Sequence, residues 1–531
     1  MAIRISDLFL FVGQKESRLY EKAAKRLSIP KGLIHGLKIC RKSLDARGQG
    51  KPRWHYAVDI IIAQNEDRIL EEFEEDLNVG KAPPTPPLKL TNITADLDAR
   101  PVVVGMGPAG LFASLILANA GAPPLIIDRG KPVHDRDADV AALFEHGKLN
   151  SDSNVCYGEG GAGAYSDGKL TVRSKDPLVS YVMDTLIALG APSEIAYLAH
   201  PHLGSDKLKK ILISFRKMLL EKGVEFYFST KMKSVLTEGG RCEGLKLENE
   251  KEILSRSVIL AQGSGDDDLY FSLSSSGARI EQKGFAVGVR IEHAQEMINR
   301  GRYGKYSDDK NLPPADYRLT TKLSLPGRRA YTFCMCPGGS VIPATSFTNR
   351  LCVNGMSLSD RAGHYANSAI VIAVDPEDLP RHWSSGLEFR AKLESDAYLA
   401  GGGDMVAPVQ TVRDFLNRKD PSALPYCTYR PGVREANLWD VLPKDIATGI
   451  AEAIRNFGKM LSGFNDASAV LVGVEARTSS PVRIVRSELN RQALNISGLY
   501  PCGEGAGYAG GIVSSAIDGI RSALSLLKWN E

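Results

Sequence analysis

The pattern of hydrophobic and polar residues in residues 1–79 is typical of a small mixed domain. It predicts two strands, at Ile3–Val12 and His55–Ile62. It also predicts helices at Glu16–Leu27 and Glu66–Leu77, with a second helical turn region between them. Strands and helices in this order favour a small α+β domain of ferredoxin-like type.

The following segment, residues 80–96, predicts a proline-rich linker. Between Pro83 and Pro87, four of five positions are proline. Such a run favours a stiff polyproline II segment, which makes no ladder hydrogen bonds. The linker separates the N-terminal domain from the rest of the chain.

From residue 97 onward the pattern becomes β-α-β, with a helix-rich stretch at Leu178–Lys222 and short strands after it. Residues 281–464 differ, because strands rich in Val, Tyr and Thr are broken by Gly and Pro. Residues 465–531 return to Gly-rich turns and end in a helix. We therefore predict an α/β fold, in which a Rossmann-type domain (97–280 and 465–531) is interrupted by a mixed β-sheet and helical domain (281–464).

Composition narrows the class of protein. Of the 531 residues, 43% are hydrophobic and 24% are charged, as in an ordinary soluble globular protein. No apolar run approaches the roughly 20 residues of a membrane span, and the N-terminus lacks the features of a signal peptide. The eight cysteines have no zinc-site spacing and are typical of reduced cytosolic thiols. We expect a soluble cytoplasmic protein without a metal site or a membrane anchor.

A group of basic residues lies in the middle of the N-terminal domain. It could be a surface for RNA or for an acidic partner, or simply a solvated loop. The net charge of +4 does not favour nucleic acid as the main partner, and the sequence leaves the oligomeric state open. The group comprises Lys38, Arg41, Lys42, Arg47, Lys51 and Arg53.

A glycine motif begins the Rossmann-type domain. The segment Pro101–Gly110 (PVVVGMGPAG) predicts a buried strand that runs into a G-x-G-x-x-G turn and a helix. Gly105 makes the tight turn, Gly107 lets the backbone approach a pyrophosphate, and Gly110 lets helix and strand pack closely. A second strand ends in Asp128, where a ribose-binding carboxylate is expected. These features predict a dinucleotide site.

A second glycine-rich segment favours FAD as the dinucleotide. Residues 158–168 contain five glycines, so that their backbone can wrap around a large ligand and direct N–H groups at it. The alternative is a flexible surface loop. Lys169 adds a cation suited to the pyrophosphate or to the N5 and O4 atoms of a flavin.

Three later segments resemble glutathione-reductase-like flavoproteins. Residues 223–235 resemble the strand that meets the adenine, and residues 258–265 resemble the turn beneath the cofactor. In similar proteins the element at residues 498–513 places Gly and Glu on the ribityl chain and directs a helix N-terminus at flavin O2. The candidate FAD-binding residues are Gly105, Gly107, Pro108, Ala109, Gly110, Asp128, Arg129, Gly160, Gly161, Ala162, Gly163, Ser166, Lys169, Leu170, Lys231, Met232, Ala261, Gly263, Gly503, Glu504, Gly511, Ile512 and Val513.

Four further strings narrow the resemblance to one family. The whole chain, N-terminal domain included, resembles FAD-dependent, NAD(FAD)-utilising dehydrogenase-like proteins of bacteria and plastids. The resemblance implies FAD and a redox function. The strings are Gly288–His293, Tyr331–Gly339, Asn354–Ser357 and Glu475–Arg483.

Three residues are candidates for catalysis. His202, in a loop before a helix that Ser205 or Asp206 is expected to cap, could be a general acid or base or a structural histidine. Arg477 could hold a substrate carboxylate or reduced flavin, or form a buried ion pair with Glu475 or Asp466.

Cys336 is the third candidate. Cys334 and Cys336 form a C-x-C in a predicted strand, which places both thiols on one face. They could be redox thiols beside the flavin or inert buried cysteines.

The sequence predicts no second βαβ unit with a G-x-G-x-x-G turn for NAD(P)H, so a nicotinamide, if used, must bind transiently. The leading hypothesis is an oxidoreductase that moves a hydride between a small organic substrate and flavin N5. One alternative is a flavin-dependent tRNA-modifying enzyme. Another is a non-catalytic FAD-binding scaffold or redox sensor.

Overall fold

The computed structural model describes residues 2–47, 50–63, 66–83, 97, 99–172, 176–423 and 426–528. Most of the predicted proline-rich linker, residues 84–96, lies outside the described residues. Among the described residues, no helix combines the length and the apolar composition that a bilayer-spanning helix needs.

The N-terminal domain alternates strands and helices in the order βαββαβ, which is that of ferredoxin-like domains. Its strands form one antiparallel sheet in the order β2-β3-β1-β4. The elements are β1 (Ile3–Phe11), α1 (Arg18–Arg26), β2 (Ile34–Asp45), β3 (Arg53–Ile62), α2 (Glu66–Glu72) and β4 (Val79–Lys81).

The second helical turn region predicted in this domain is a short 3-10 helix at Lys31–Leu33, and the strand after it was not predicted. The twelve residues that follow the 3-10 helix form β2. β2 lies at the edge of its sheet, and only Ile34 among its side chains is buried. Its sequence therefore lacks the alternation of buried positions by which a strand is recognised.

The next part of the chain contains a β-α-β unit, a helical stretch and a small meander. Its elements are β5 (Val102–Val104), α3 (Pro108–Asn119), β6 (Leu125–Ile127), α4 (Val133–His146), α5 (Leu178–Ala188), α6 (Gly204–Glu221), β7 (Glu225–Tyr227), β8 (Met232–Glu238), β9 (Arg241–Leu247), β10 (Glu252–Leu254), β11 (Val258–Leu260), α7 (Asp267–Ser275) and β12 (Ile280–Gln282).

The third part is rich in strands. Its elements are β13 (Phe285–Ala294), α8 (Gln295–Tyr303), β14 (Thr320–Lys322), β15 (Arg329–Cys336), β16 (Ser340–Pro343), β17 (Val353–Met356), β18 (Tyr365–Val374), α9 (Ser385–Gly401), β19 (Ala407–Thr411), α10 (Val412–Leu416), β20 (Val433–Glu435), α11 (Leu438–Val441), α12 (Lys444–Met460) and β21 (Val470–Glu475). The chain ends with β22 (Val482–Ile484), β23 (Leu499–Pro501) and α13 (Ile512–Leu526).

A five-stranded parallel sheet joins the two ends of the Rossmann-type region. Its strand order is β7-β6-β5-β11-β23, the 3-2-1-4-5 order of dinucleotide-binding sheets. β5, β6 and β11 are apolar and buried at every position, as expected for strands covered on both faces. On one face, α3 is buried almost throughout and packs against α13. A Cβ on Gly519 of α13 would lie 2.0 Å from the carbonyl oxygen of Ala109, so the two helices cross in close contact.

A seven-stranded sheet forms the second large layer, in the order β14-β15-β18-β13-β21-β19-β20. β13 and β18 pair along their whole length and are buried at most positions. α12 covers them with apolar side chains such as Ile450, Ile454 and Phe457. β21 belongs to this sheet, because it pairs with β13 and β19. The predicted boundary between residues 464 and 465 therefore falls before the last strand of this sheet.

The two layers are joined where the chain passes between them. β12 and β22 pair antiparallel, with Ile280 opposite Ile484, directly before the chain enters the second sheet and after it returns. The mixed α/β class predicted from the sequence is confirmed.

Candidate functional site

A cleft opens at the carboxyl ends of β5 and β6, next to the point where the strand order of the parallel sheet reverses. Open α/β sheets bind their ligands in this kind of crevice. We call it the strand-end cleft; its cavity volume is about 40 Å³. Its lining includes the predicted residues Gly105, Asp128, Arg129, Lys231 and Met232, together with Val104, Ile127, Tyr157, Thr230, Gln262, Asp266 and Leu269.

Asp128 fixes the shape of the glycine turn. One carboxylate oxygen accepts a hydrogen bond from the Met106 N–H and the other from the Gly130 N–H, both at 2.8 Å. Each carboxylate oxygen can accept a further bond. The predicted ribose contact is therefore compatible with this position, but the carboxylate already has a structural role.

Arg129 forms a wall of the strand-end cleft. Its guanidinium lies 4.3 Å from the centroid of the Tyr157 ring and donates to Asp266 at 2.6 Å. Asp266 in turn caps α7 by accepting from the Asp268 and Leu269 N–H groups. Arg129 is thus held by the fold.

Polar atoms without partners mark the interior of the cleft. Both side-chain amide atoms of Gln262 and the hydroxyl of Tyr157 are buried, and none has a hydrogen-bond partner among the described residues. A buried polar group without a partner costs about 1–3 kcal/mol. A polar ligand in the cleft would supply these partners, so the lining fits the ADP half of FAD.

The turn at Gly107 and the N-termini of α3 and α13, which the sequence predicts to bind the cofactor, also leave room and backbone N–H groups for a ligand. A Cβ on Gly107 would meet no described atom within 4 Å, so packing within the protein does not require a glycine there. Among the described residues, no side chain caps the first turn of α3 or of α13. Uncapped helix N-termini present N–H groups and a positive dipole end to an anion.

The glycine-rich loop lies between these two helix ends. A Cβ on Gly161 would lie 3.1 Å from the Gly107 Cα, and one on Gly163 would lie 3.4 Å from Ile512. Ser166 closes the loop on itself, because its hydroxyl donates to the Gly163 carbonyl and accepts from the Gly168 N–H. The loop is therefore packed rather than free on the surface.

Buried Arg136 of α4 holds this loop in place. Its guanidinium donates to four backbone carbonyls, those of Asn154, Val155, Glu159 and Gly161, at 2.6–3.0 Å. Desolvation lowers its pKa. Nothing in the sequence of α4 distinguishes this arginine from a surface one, and sequence reasoning missed it.

The carboxyl-terminal element reaches the same region. A Cβ on Gly105 would lie 2.4 Å from the Ala261 oxygen, and one on Gly505 would lie 2.2 Å from the Gly263 oxygen. The Gly503 N–H donates to Asp518 at 2.8 Å. Burial raises the pKa of Glu504 to about 7, partly offset by the charges of Lys283 and Arg390.

Lys169 lies on the side of the second sheet. Its ammonium group donates to the carbonyl of Met335 in β15 and pairs with Asp167 at 3.1 Å. His202 is beside it, since the two residues form an isolated backbone bridge. Burial lowers the pKa of His202, and the nearby charge of Arg361 lowers it further, so the imidazole is neutral at physiological pH.

The predicted cap of the helix after His202 is wrong. α6 begins at Gly204, with Leu203 at its N-cap, and no side chain caps it among the described residues. The Asp206 carboxylate instead accepts from the N–H and the hydroxyl of Ser359, both at 2.8 Å. It fastens α6 to the loop after β17.

The predicted ion-pair partners of Arg477 are also wrong. Its guanidinium forms a two-pronged, buried ion pair with Glu394 of α9, at 2.7 and 2.9 Å. Glu475 pairs instead with Arg290, and Asp466 bonds to Ser468. With its donors engaged and its side chain 8% exposed, Arg477 acts as part of the fold.

The two cysteines of the C-x-C differ in their surroundings. Cys336 is buried, and its thiol donates to the Cys334 carbonyl at 3.3 Å. Cys334 is partly exposed and has φ +45°. The pairing of β15 with β18 is irregular between Phe333 and Cys336. The strict alternation of side chains expected for a strand therefore does not apply to the two cysteines.

Comparisons with known proteins show the family of the chain and support its cofactor. Residues 284–478 match a family model described as "FAD-dependent protein, C-terminal domain-like", and residues 2–61 match a domain of unknown function. A Clostridium beijerinckii protein, described as uncharacterised, is 39% identical over 531 residues and covers 99% of both chains. The chain belongs to one family with this protein. The matched FAD-dependent domain supports FAD as the cofactor.

Solved structures give a weaker likeness. A flavin-dependent brominase is 12% identical, covers 81% of this chain and 78% of its own, with a TM-score of 0.35. A geranylgeranyl bacteriochlorophyll reductase-like protein from Thermoplasma acidophilum is 12% identical, with coverage of 81% and 77% and a TM-score of 0.34. The glycine oxidase of Bacillus cereus is 11% identical, with coverage of 81% and 96% and a TM-score of 0.31. TM-scores of this size do not establish a common fold.

Proposed function

We propose that the protein is an FAD-dependent oxidoreductase that moves a hydride between a small organic substrate and N5 of the flavin. The observation that carries the proposal is the meeting of two uncapped helix N-termini beside the open Gly107 and a cleft with unpartnered polar atoms. The match of residues 284–478 to an FAD-dependent domain supports the same cofactor.

In this proposal the chain binds FAD mainly through its backbone. The first turn of α3 and the turn at Gly107 hold the pyrophosphate, while Lys231 and the Asp128 turn line the ADP side. The N-terminus of α13 stabilises negative charge on the flavin ring. When bound, FAD supplies a ring that accepts or releases a hydride.

We further propose membership of the NAD(FAD)-utilising, glutathione-reductase-like group that the sequence resembles. A nicotinamide, if it is the electron donor, binds transiently, because among the described residues only the G-x-G-x-x-G turn at 105–110 lies in a βαβ unit. The substrate approaches from the second sheet, on the side of Lys169 and His202.

RNA is not the partner that we propose. Three of the six basic residues of the N-terminal domain pair with acidic neighbours: Lys42 with Glu16, and Arg47 and Arg53 with Asp45. These pairs reduce the positive field that RNA binding requires.

The test is anaerobic mixing of the FAD-loaded protein with NADH, NADPH and a panel of small metabolites. Loss of the visible absorbance of oxidised flavin is the readout, and a chemical reductant provides the control for an accessible ring. We expect at least one compound to bleach the flavin rapidly. Bleaching by the chemical reductant alone would overturn the dehydrogenase proposal in favour of a scaffold or sensor.

A further inference from the structure

Buried Arg290 of β13 is the centre of a cluster that the strand-end cleft does not include. Its guanidinium donates to Glu475 at 2.7 Å, Asn367 at 2.8 Å and Asn354 at 3.1 Å. It also donates twice to the Cys334 carbonyl, at 3.1 Å. Four distant segments of the chain are thereby joined at the C-x-C, whose backbone is held in a conformation that is uncommon for residues other than glycine.

The surroundings of Cys334 favour a thiolate. Its pKa is lowered to about 5, first by the neighbouring Cys336 thiol and then by the positive charges of Lys169 and Arg290, although burial of the Cys334 thiol raises it. The negative charge of Asp167 opposes this effect. The Cys334 residue is also partly exposed, whereas Cys336 is buried. Thiolate character and access are the two properties that make a cysteine a nucleophile.

Cys336 has the opposite properties. It is buried directly behind Cys334, and the pKa of its thiol is raised well above the usual value by its hydrogen bond to Cys334 and by burial. A nucleophilic thiol with a protonated thiol behind it is the arrangement of a dithiol that attacks and then resolves a mixed disulfide.

Two polar side chains beside Cys334 and Cys336 have a buried oxygen without a hydrogen-bond partner among the described residues. The Ser357 hydroxyl is buried without a partner among the described residues. It faces Cys336, since a Cβ on Gly339 would lie 2.7 Å from that hydroxyl and 3.0 Å from the Cys336 Cβ. One carboxylate oxygen of Glu475 is likewise buried without a described partner, and burial raises the pKa of that carboxyl to about 7. The cluster is therefore not a closed network of ion pairs.

We propose that Cys334 and Cys336 form a reversible dithiol–disulfide couple whose electron partner is a small-molecule disulfide. The Cys334 thiolate attacks one sulfur of the substrate disulfide, which forms a mixed disulfide and releases one thiolate. The Cys336 thiol then attacks Cys334 Sγ, which forms the internal disulfide and releases the second thiolate and one proton. The substrate disulfide is reduced by two electrons and the cysteine pair is oxidised by two.

This couple requires no flavin, so its failure would be separable from failure of the proposed FAD-dependent function. The internal disulfide is returned to the dithiol by any small thiol, such as dithiothreitol. Cys427 offers a matched comparison, because it is also partly exposed, while burial raises the pKa of its thiol to about 12.

The experiment uses 5,5′-dithiobis(2-nitrobenzoic acid) as the disulfide, at pH 6.5 with native protein, Cys336→Ser and Cys427→Ser. Native protein and Cys427→Ser should each release two equivalents of thionitrobenzoate in the fast phase and retain no adduct. Cys336→Ser should release one equivalent and keep a stable adduct, which peptide mass spectrometry locates on Cys334. Reaction of Cys334 should be at least about 100-fold faster than that of Cys427, because at this pH far more of Cys334 is thiolate.

Two results would overturn the couple. One is reaction of Cys334 at the rate of Cys427. The other is a stable adduct on Cys334 in native protein, which would show that Cys336 does not resolve the mixed disulfide. If Cys336→Ser is misfolded by circular dichroism, mass spectrometry of the oxidised native protein still decides, because the proposal requires a peptide that links Cys334 to Cys336.

Discussion

The three glycines of the first turn have different structural roles at the scale of single residues. A Cβ on Gly110 would lie 1.9 Å from the Gly105 oxygen, which the backbone cannot relieve locally. A Cβ on Gly107 would meet no described atom within 4 Å. The glycine at position 110 is therefore explained by packing, whereas the one at position 107 is explained by a ligand.

Gly110→Ala and Gly107→Ala should separate these roles in the apoprotein. Gly110→Ala should lower the free energy of unfolding by on the order of 3 kcal/mol, because overpacking forces helix and strand apart. Gly107→Ala should change it by less than about 1 kcal/mol. Urea denaturation followed by circular dichroism measures both, and equal losses of stability would contradict the assignment.

Glu292 of β13 predicts a pH dependence of stability. Burial raises its pKa to about 7, although Thr428 donates to both carboxylate oxygens. The folded state therefore holds a proton that the unfolded state releases near pH 4.5. Its contribution to stability is full below that pH and is lost as the pH rises through about 7.

Glu292→Gln should remove this dependence, because the amide oxygen can accept from the Thr428 N–H and the amide NH2 can donate to the Thr428 hydroxyl. Between pH 5 and pH 8, native protein should lose up to about 3 kcal/mol more stability than the variant. The comparison is made by urea denaturation at both pH values. Parallel pH profiles would show that Glu292 titrates normally.

At the scale of elements, β8 places one lysine at the strand-end cleft and another outside it. Lys231 lines the cleft just before the strand begins, with its ammonium 3.8 Å from Glu248. Lys233 is two residues further on; its side chain is 47% exposed and pairs with Glu250. Both are exposed enough for substitution without a packing defect.

Lys231→Ala should weaken binding of ADP or FAD by about tenfold, because a charge-assisted hydrogen bond contributes about 1.5–3 kcal/mol. Lys233→Ala should bind as native protein does. Isothermal titration of apoprotein with ADP measures both affinities. Equal affinities for the two variants would show that Lys231 does not contact the bound ADP.

The elements that the sequence predicts are those whose buried side chains follow a regular pattern along the chain. The strand at Val102–Val104, the helix after it and α12 were predictable because apolar runs and periodic faces mark them. β2 was not, since an edge strand with one buried side chain carries no such pattern. The boundary predicted between residues 464 and 465 separates β21 from its sheet partners β13 and β19. These partners are distant from β21 in sequence, so the sequence does not show the pairing.

In the candidate site too, the sequence predicts local features but not the contacts between distant residues. Glycine spacing located the turn, the loop and the last helix, because these positions depend on local backbone geometry. The links made by Arg136, Arg290 and Glu394 depend on tertiary contacts, and the sequence around them gives no signal. Of the catalytic candidates, His202 lies beside Lys169, while Arg477 is engaged in the fold.

At the scale of the whole molecule, the chain enters and leaves the second sheet beside the first. The β12–β22 pair fixes this passage, and the second sheet then brings β15 against the end of the glycine-rich loop at Lys169. The region predicted to hold FAD and the C-x-C thus meet at one interface between the layers. We therefore expect that a substrate of the flavin passes through this interface.

The proposed function requires FAD to bind across Gly107, between the N-termini of α3 and α13. Equilibrium titration of apoprotein with FAD tests this for native protein, Gly107→Val and Gly32→Val. Gly32 is a matched control, because a Cβ there also meets no described atom within 4 Å, but it lies in the N-terminal domain. Gly107→Val should weaken FAD binding by at least about 100-fold with an unchanged circular dichroism spectrum, while Gly32→Val binds as native. Native affinity in Gly107→Val would contradict the account.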